Sequence, residues 1–154
     1  MSPKSLLRST LATSTVEELT QGAFQHVIAD PTPPAAVERV VFCSGKVYYE
    51  LDQARAKAEG DVPAALHRVE MLHPFPHEAI GALLDEHPDA EVVWCQEEPR
   101  NMGAYPTLFH WFTEHFPSRP VRYVGRPASA SPAGGSNKGD RAWQHKLVET
   151  ALQF

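Results

Sequence analysis

From Arg39 onward, short apolar runs alternate with segments whose apolar residues recur at helical spacing. This alternation constrains the fold more than any other feature of the chain. Strands separated by helices pair in parallel, and a parallel sheet needs helices over both faces. The first strand is expected at RVVFCSG (Arg39–Gly45). A helix over Lys46–Glu59 follows, with Val47, Tyr48, Leu51, Ala54 and Ala58 on one side and Gly60 as its stop. AALHRVEML (Ala64–Leu72) is the next strand, and the loop HPFP (His73–Pro76) leads to a short helix over His77–Glu86. EVVWCQ (Glu91–Gln96) is the third strand. Tyr105, Leu108, Phe109, Phe112 and Phe116 then form one stripe of a helix over Gly103–Phe116. PVRYVG (Pro120–Gly125) is the fourth strand. The small-residue loop RPASASPAGGSNKG (Arg126–Gly139) leads to a last helix with Trp143, Leu147, Val148 and Ala151 inward. Four strand–helix repeats predict a compact three-layer sandwich.

Residues 1–38 read differently, as a lead-in arm and linker to the α/β domain at 39–154. Ser14 and Glu17 have capping-box spacing and predict a short helix through Thr20. FQHVIA (Phe24–Ala29) can add a strand, and DPTPPAAVE (Asp30–Glu38), with three prolines, is an extended connector.

The length of 154 residues suits one domain with a real core. A net charge of −5 argues against nucleic acid or an anionic membrane as partner, and no run of about 18 apolar residues is present to span a bilayer. MSPKSLLRST lacks the apolar core of a signal peptide, so a cytoplasmic location is expected. Cys43 and Cys95 lie far apart in apolar runs, which predicts buried, reduced thiols and no metal site.

Familiar catalytic patterns are missing. CSGK has one glycine where a dinucleotide fingerprint needs three, and neither GxxxxGK[ST] nor GxSxG occurs. HEAIG lacks the second histidine of a zinc helix. The eight histidines are scattered and are expected to be structural or solvent-facing. Ser44, Gly45 and Lys46 sit where a strand meets a helix, with either of two consequences. Free amides and a lysine can cradle an anion, or the serine can cap the helix of a tight turn. The turn is the expectation. Arg126, Lys138 and Arg141, around the glycine-rich loop, are candidates for a second anion or regulatory contact; charges that solvate the loop are the simpler expectation. Glu97 and Glu98 end a strand on the edge where α/β proteins bind ligands. Adjacent strand residues point apart, so one pocket is not expected to receive both. Turn and helix-start chemistry from Pro99 to Gly103 is expected to account for them, and no catalytic residue is assigned.

Four blocks and two arm segments then converge on one resemblance. RVVFCSGKVYYEL, VEMLHPFP, VVWCQEEPRNMGAY and RYVGRPASASPAGGS, with the arm segments SPKSLLRST and EELTQGAFQHVI, closely resemble the last domain of one enzyme family. It is the thiamine diphosphate-dependent, decarboxylating first component of the 2-oxoglutarate dehydrogenase complex. The resemblance implies a transketolase C-terminal-like, three-layer α/β/α sandwich around a mostly parallel five-stranded sheet. It implies a parent enzyme of the tricarboxylic acid cycle that oxidatively decarboxylates 2-oxoglutarate. Thiamine diphosphate and magnesium are expected on preceding domains that this chain lacks, so the chain is expected to be inactive alone. Its expected partners are those thiamine-binding domains, a homodimer mate and, indirectly, the lipoyl-bearing succinyltransferase. Two departures stand out. Actinobacterial members carry paired arginines at the positions of His77 and Glu78, near an acetyl-CoA site. In the last helix, Asp140 and Trp143 replace the usual histidine and glutamate, and Gln144 is kept. The alternative expectation is a stand-alone domain that binds a partner or a small anion without catalysis.

Overall fold

The computed structural model describes residues 3–153. Its elements run α1 (Val16–Gln21), β1 (Val27–Ile28), β2 (Arg39–Cys43), α2 (Val47–Lys57), β3 (Ala64–Val69), α3 (His77–Asp85), β4 (Glu91–Pro99), α4 (Tyr105–His115), β5 (Val121–Arg126) and α5 (Asn137–Leu152). One five-stranded sheet has the order β1-β3-β2-β4-β5, parallel throughout except for antiparallel β1. None of the described helices is long and apolar enough to cross a membrane.

The period of two along each strand decides what covers each face. Val41, Cys43, Ala64, Leu66, Val93 and Cys95 point to one side, where Val47 and Leu51 of α2 and Leu147, Val148 and Ala151 of α5 cover them. Val40, Phe42, Val69, Val92 and Trp94 point to the other, under Ile80 and Leu84 of α3 and Leu108 and Phe112 of α4. Each central strand is therefore buried on both faces, which is why these runs read as continuously apolar.

Local chemistry departs from expectation at several points. The capping box of α1 is Thr15 with Glu18, not Ser14 with Glu17: Glu18 N donates to Thr15 Oγ1 at 3.1 Å, and Thr15 N donates to Glu18 Oε2 at 2.7 Å. STVEE offers the same spacing in two frames one residue apart, so spacing alone does not choose. Phe109 and Trp143, expected inward, are 47% and 40% exposed. Phe109 lies on the shoulder of a stripe wider than the sheet contact, and Trp143 sits in the first half of α5, beside the 126–134 loop. The proline-rich connector is anchored at its first residue. Buried Asp30 accepts from Leu66 N at 2.8 Å and Thr32 N at 3.0 Å, and its carboxylate pairs with Arg55.

Candidate functional site at the sheet switch point

After β2 the chain turns to α2 on one face, and after β4 it turns to α4 on the other. A crevice opens between two strands that diverge in this way, outside their carboxyl ends, where open α/β sheets bind ligands. Here it has a volume of about 590 Å³ and is lined by Ser44 and Lys46 from the β2 turn, Trp94, Glu97 and Glu98 from β4, and Pro3 from the arm.

Gln96 builds the floor. Alternation from Trp94 carries it inward, and it is 4% exposed. A buried amide must find partners. Its Oε1 accepts from Trp94 Nε1 at 2.9 Å and from Tyr105 N at 3.0 Å, while its Nε2 donates to Met102 O at 2.7 Å and Pro99 O at 3.2 Å. One side chain thus ties β4, the following turn and the first residue of α4 together. Gly103 closes the same turn at φ +65, and a Cβ there would stand 2.9 Å from Gln96 Nε2. The Tyr123 hydroxyl buttresses the turn from β5, 2.9 Å from Glu98 O and 2.8 Å from Arg126 O. Burial pushes its pKa up to about 12, so the phenol stays a donor.

Lys46 sits at the crevice mouth with its ammonium 2.7 Å from Glu97 and also paired with Glu50. Burial works against the charge, but the two carboxylates outweigh it and hold the lysine above its ordinary pKa. Ser44 does not cap α2. The cap position is Lys46, whose ammonium can only donate and so offers no acceptor to a helix amide, and Gly45 at φ +75 stands between it and the serine. Glu97 and Glu98 both line the crevice, contrary to expectation: the register shifts between Cys95 and Pro99, and strict alternation fails there. Nor does either carboxylate cap α4, whose first amide is met by Gln96. Arg126 and Lys138 lie elsewhere. Arg126 pairs with Asp140 at 3.1 Å, and Lys138 is exposed in the first turn of α5. The candidate anion contacts therefore do not assemble as one site; of them, only Ser44 and Lys46 share the crevice.

Beneath the crevice, Cys43 and Cys95 are register partners on β2 and β4, both buried with free thiols. Burial pushes Cys43 up to about 12 and Cys95 well above its usual value, so neither supplies a thiolate. The crevice does not suit a diphosphate–magnesium group: among the described residues its one lysine is already neutralised, and its other charges are carboxylates. No group of three or more metal-ligating side chains occurs among the described residues. Gln96 and Tyr123 escaped the sequence reading. For Gln96 a signal was there, since alternation past Trp94 puts an amide in the core.

Comparison with known proteins matches these observations. The family described as 2-oxoglutarate dehydrogenase C-terminal matches residues 13–152. The "2-oxoglutarate dehydrogenase E1 component" of Haemophilus influenzae is 49% identical over 159 residues, covering 100% of this chain and 17% of that protein. Its counterpart from Cupriavidus necator is 44% identical over 156 residues, covering 99% and 16%. The chain thus spans about a sixth of the length of these curated relatives. A solved structure titled "Split gene transketolase, inactive beta4 tetramer" shares the fold, with a TM-score of 0.55 over 78% of this chain and 38% of that one, at 19% identity. The chain belongs to the 2-oxoglutarate dehydrogenase C-terminal family.

Proposed function

We propose that this chain is the non-catalytic C-terminal domain of a thiamine diphosphate-dependent, 2-oxoglutarate-decarboxylating enzyme of the tricarboxylic acid cycle, in the cytoplasm. In this reading the arm to residue 38 leads in from the thiamine-binding domains, and the α/β domain from residue 39 docks on them and supports a homodimer. The chemistry, with thiamine diphosphate and magnesium, and delivery to the lipoyl-bearing succinyltransferase belong to the rest of the enzyme.

The observation that carries this reading is the apolar arm. Leu7, Leu11, Val16, Leu19 and Phe24 are 54–78% exposed, and α1 has no buried residue. Apolar side chains gathered on one segment without a core of their own mark a surface that another domain covers. The chemistry of the crevice supports the non-catalytic part. A lysine held between two carboxylates is neither a free base nor an anion receptor.

Calorimetric titration of the chain with thiamine diphosphate and magnesium tests the assignment, and no saturable heat is expected. Binding at micromolar affinity would place cofactor chemistry in this domain and refute the reading. Mixing the chain with the separately made thiamine-binding domains and the remaining complex components should restore 2-oxoglutarate-dependent NADH formation.

A further inference from the structure

The two edges of the sheet are finished differently. On one side the last strand is β1, only two residues long, and the arm continues on both sides of it. On the other, β5 has six residues, and among the described residues its only strand partner is β4 and no backbone bond reaches its outer edge. An open edge of that length is a template for another strand unless something blunts it.

Beside that edge, two depressions of about 350 and 470 Å³ share Lys146 and Thr150 and so form one groove between β5 and α5. Arg100, Tyr123 and Trp143 line its upper part, and Arg39 and Arg122 line its lower part. Its charge runs against that of the chain, which carries −5 overall. Arg39 and Arg122 share Glu91. Arg100 and Lys146 have no carboxylate partner among the described residues. Each lies over aromatic rings instead: Arg100 at 5.7 Å from Tyr105 and 5.9 Å from Tyr123, Lys146 at 5.5 Å from Trp143. Among the described residues, the one carboxylate lining the groove is that of Glu149, which faces His145.

We propose that the β5 edge and this groove bind an extended acidic segment of a partner polypeptide as a sixth strand. Backbone pairing to β5 would supply affinity, and alternate side chains of the added strand would fall into the groove, which Arg100 and Lys146 line with no carboxylate partner among the described residues. A second copy of the chain is a poor occupant. Pairing β5 with itself would bring exposed Arg122 of one copy against the arginines of the other, and like charges across a strand pair repel. The same arginines that discourage self-pairing select for acid.

The test uses the full chain and a capped decapeptide of alternating glutamate and valine. Saturable binding is expected, with slowed hydrogen exchange of amides in Val121–Arg126 and none of that slowing in Val27–Ile28. A matched lysine–valine peptide should bind at least about tenfold more weakly, and the Arg100→Gln/Lys146→Gln double variant should lose about tenfold in affinity for the acidic peptide. Both residues are exposed, and circular dichroism checks that the variant keeps its fold. Four results would each overturn the proposal: no saturation, protection at another element, equal binding of the basic peptide, or an unchanged affinity in the double variant. Protection of β5 that rises with protein concentration before any peptide is added would assign the edge to a second copy instead.

Discussion

Replacing Gln96 by leucine removes the group that holds the β4–α4 turn and adds no bulk. Trp94 Nε1 and Tyr105 N both lose their acceptor, and Trp94 is 1% exposed, so water cannot replace it there. A buried donor left unpaired costs about 1–3 kcal/mol, which gives roughly 2–6 kcal/mol for two. The carbonyls of Met102 and Pro99 also lose a donor, but that of Pro99 keeps Met102 N at 2.8 Å. Burying leucine's apolar surface in place of the amide returns about 1–2 kcal/mol. Midway values, about 4 kcal/mol lost and about 1.5 returned, leave a net expected loss of about 2–3 kcal/mol, a large share of the 5–15 kcal/mol typical of a domain. Gln96→Glu separates the two halves of the side chain. The carboxylate keeps the acceptor for Trp94 and Tyr105 but sets negative charge against the carbonyls of Met102 and Pro99, so the folded state favours the protonated acid. A carboxyl whose folded pKa is raised gives full stability below the unfolded value of about 4.3 and loses it as pH rises through the folded value. Its deficit relative to wild type should therefore be smaller at about pH 4.5 than at about pH 7. Urea unfolding followed by circular dichroism and tryptophan fluorescence measures both variants. A loss below about 0.5 kcal/mol for Gln96→Leu, or a pH-independent deficit for Gln96→Glu, would refute this account of the turn.

Two further outcomes follow from buried groups outside the crevice. His67 is buried with Nδ1 accepting from Asp30 N at 3.1 Å, and burial brings its pKa down to about 4. Its preference for the neutral form contributes stability that is full above the unfolded value of about 6.5 and lost as pH falls toward the folded one. Between about pH 6.5 and 4, wild type should lose a few kcal/mol more than His67→Asn, whose side-chain oxygen can take the same Asp30 bond; parallel urea titrations check it. Arg39 is 4% exposed, donates from Nη1 to Thr150 O at 2.8 Å and Ala151 O at 2.9 Å, and pairs with Glu91. Arg39→Met should cost about 3 kcal/mol, since half-exposed Glu91 keeps Arg122, and it should speed hydrogen exchange in the last turn of α5 more than in α2.

The layers of this fold were legible because every parallel strand advertises two apolar faces. Val40–Cys43 and Val92–Cys95 could hardly be anything but buried strands, and Leu147, Val148 and Ala151 mark the covering face of α5 at helical spacing. The site was less legible. Apolar periodicity says where a side chain goes and nothing about which polar groups wait for it, so the partners of Gln96, drawn from positions 94 to 105, appear only when the turn closes. Lys46 illustrates the same gap. Its place at a strand–helix turn was readable, but its neutralisation by Glu97 depends on the β2–β4 pairing that brings residues 51 positions apart to 2.7 Å. Exposed Trp143 shows the converse. A helix longer than the surface it covers has apolar residues whose burial no heptad count can settle.

The bond from Arg39 to the end of α5 bears on how the domain is made. It joins the first parallel strand to residues 111 and 112 positions later. A ribosome delivers β2 well before α5, so the guanidinium emerges long before the carbonyls that receive it. Until then the strand at the centre of the sheet carries a charge it cannot bury at low cost, and the face that α5 covers stays wet. β2, β3 and β4 all precede α5 in the chain, so the anchorage of Arg39 waits for α5 to supply its carbonyls.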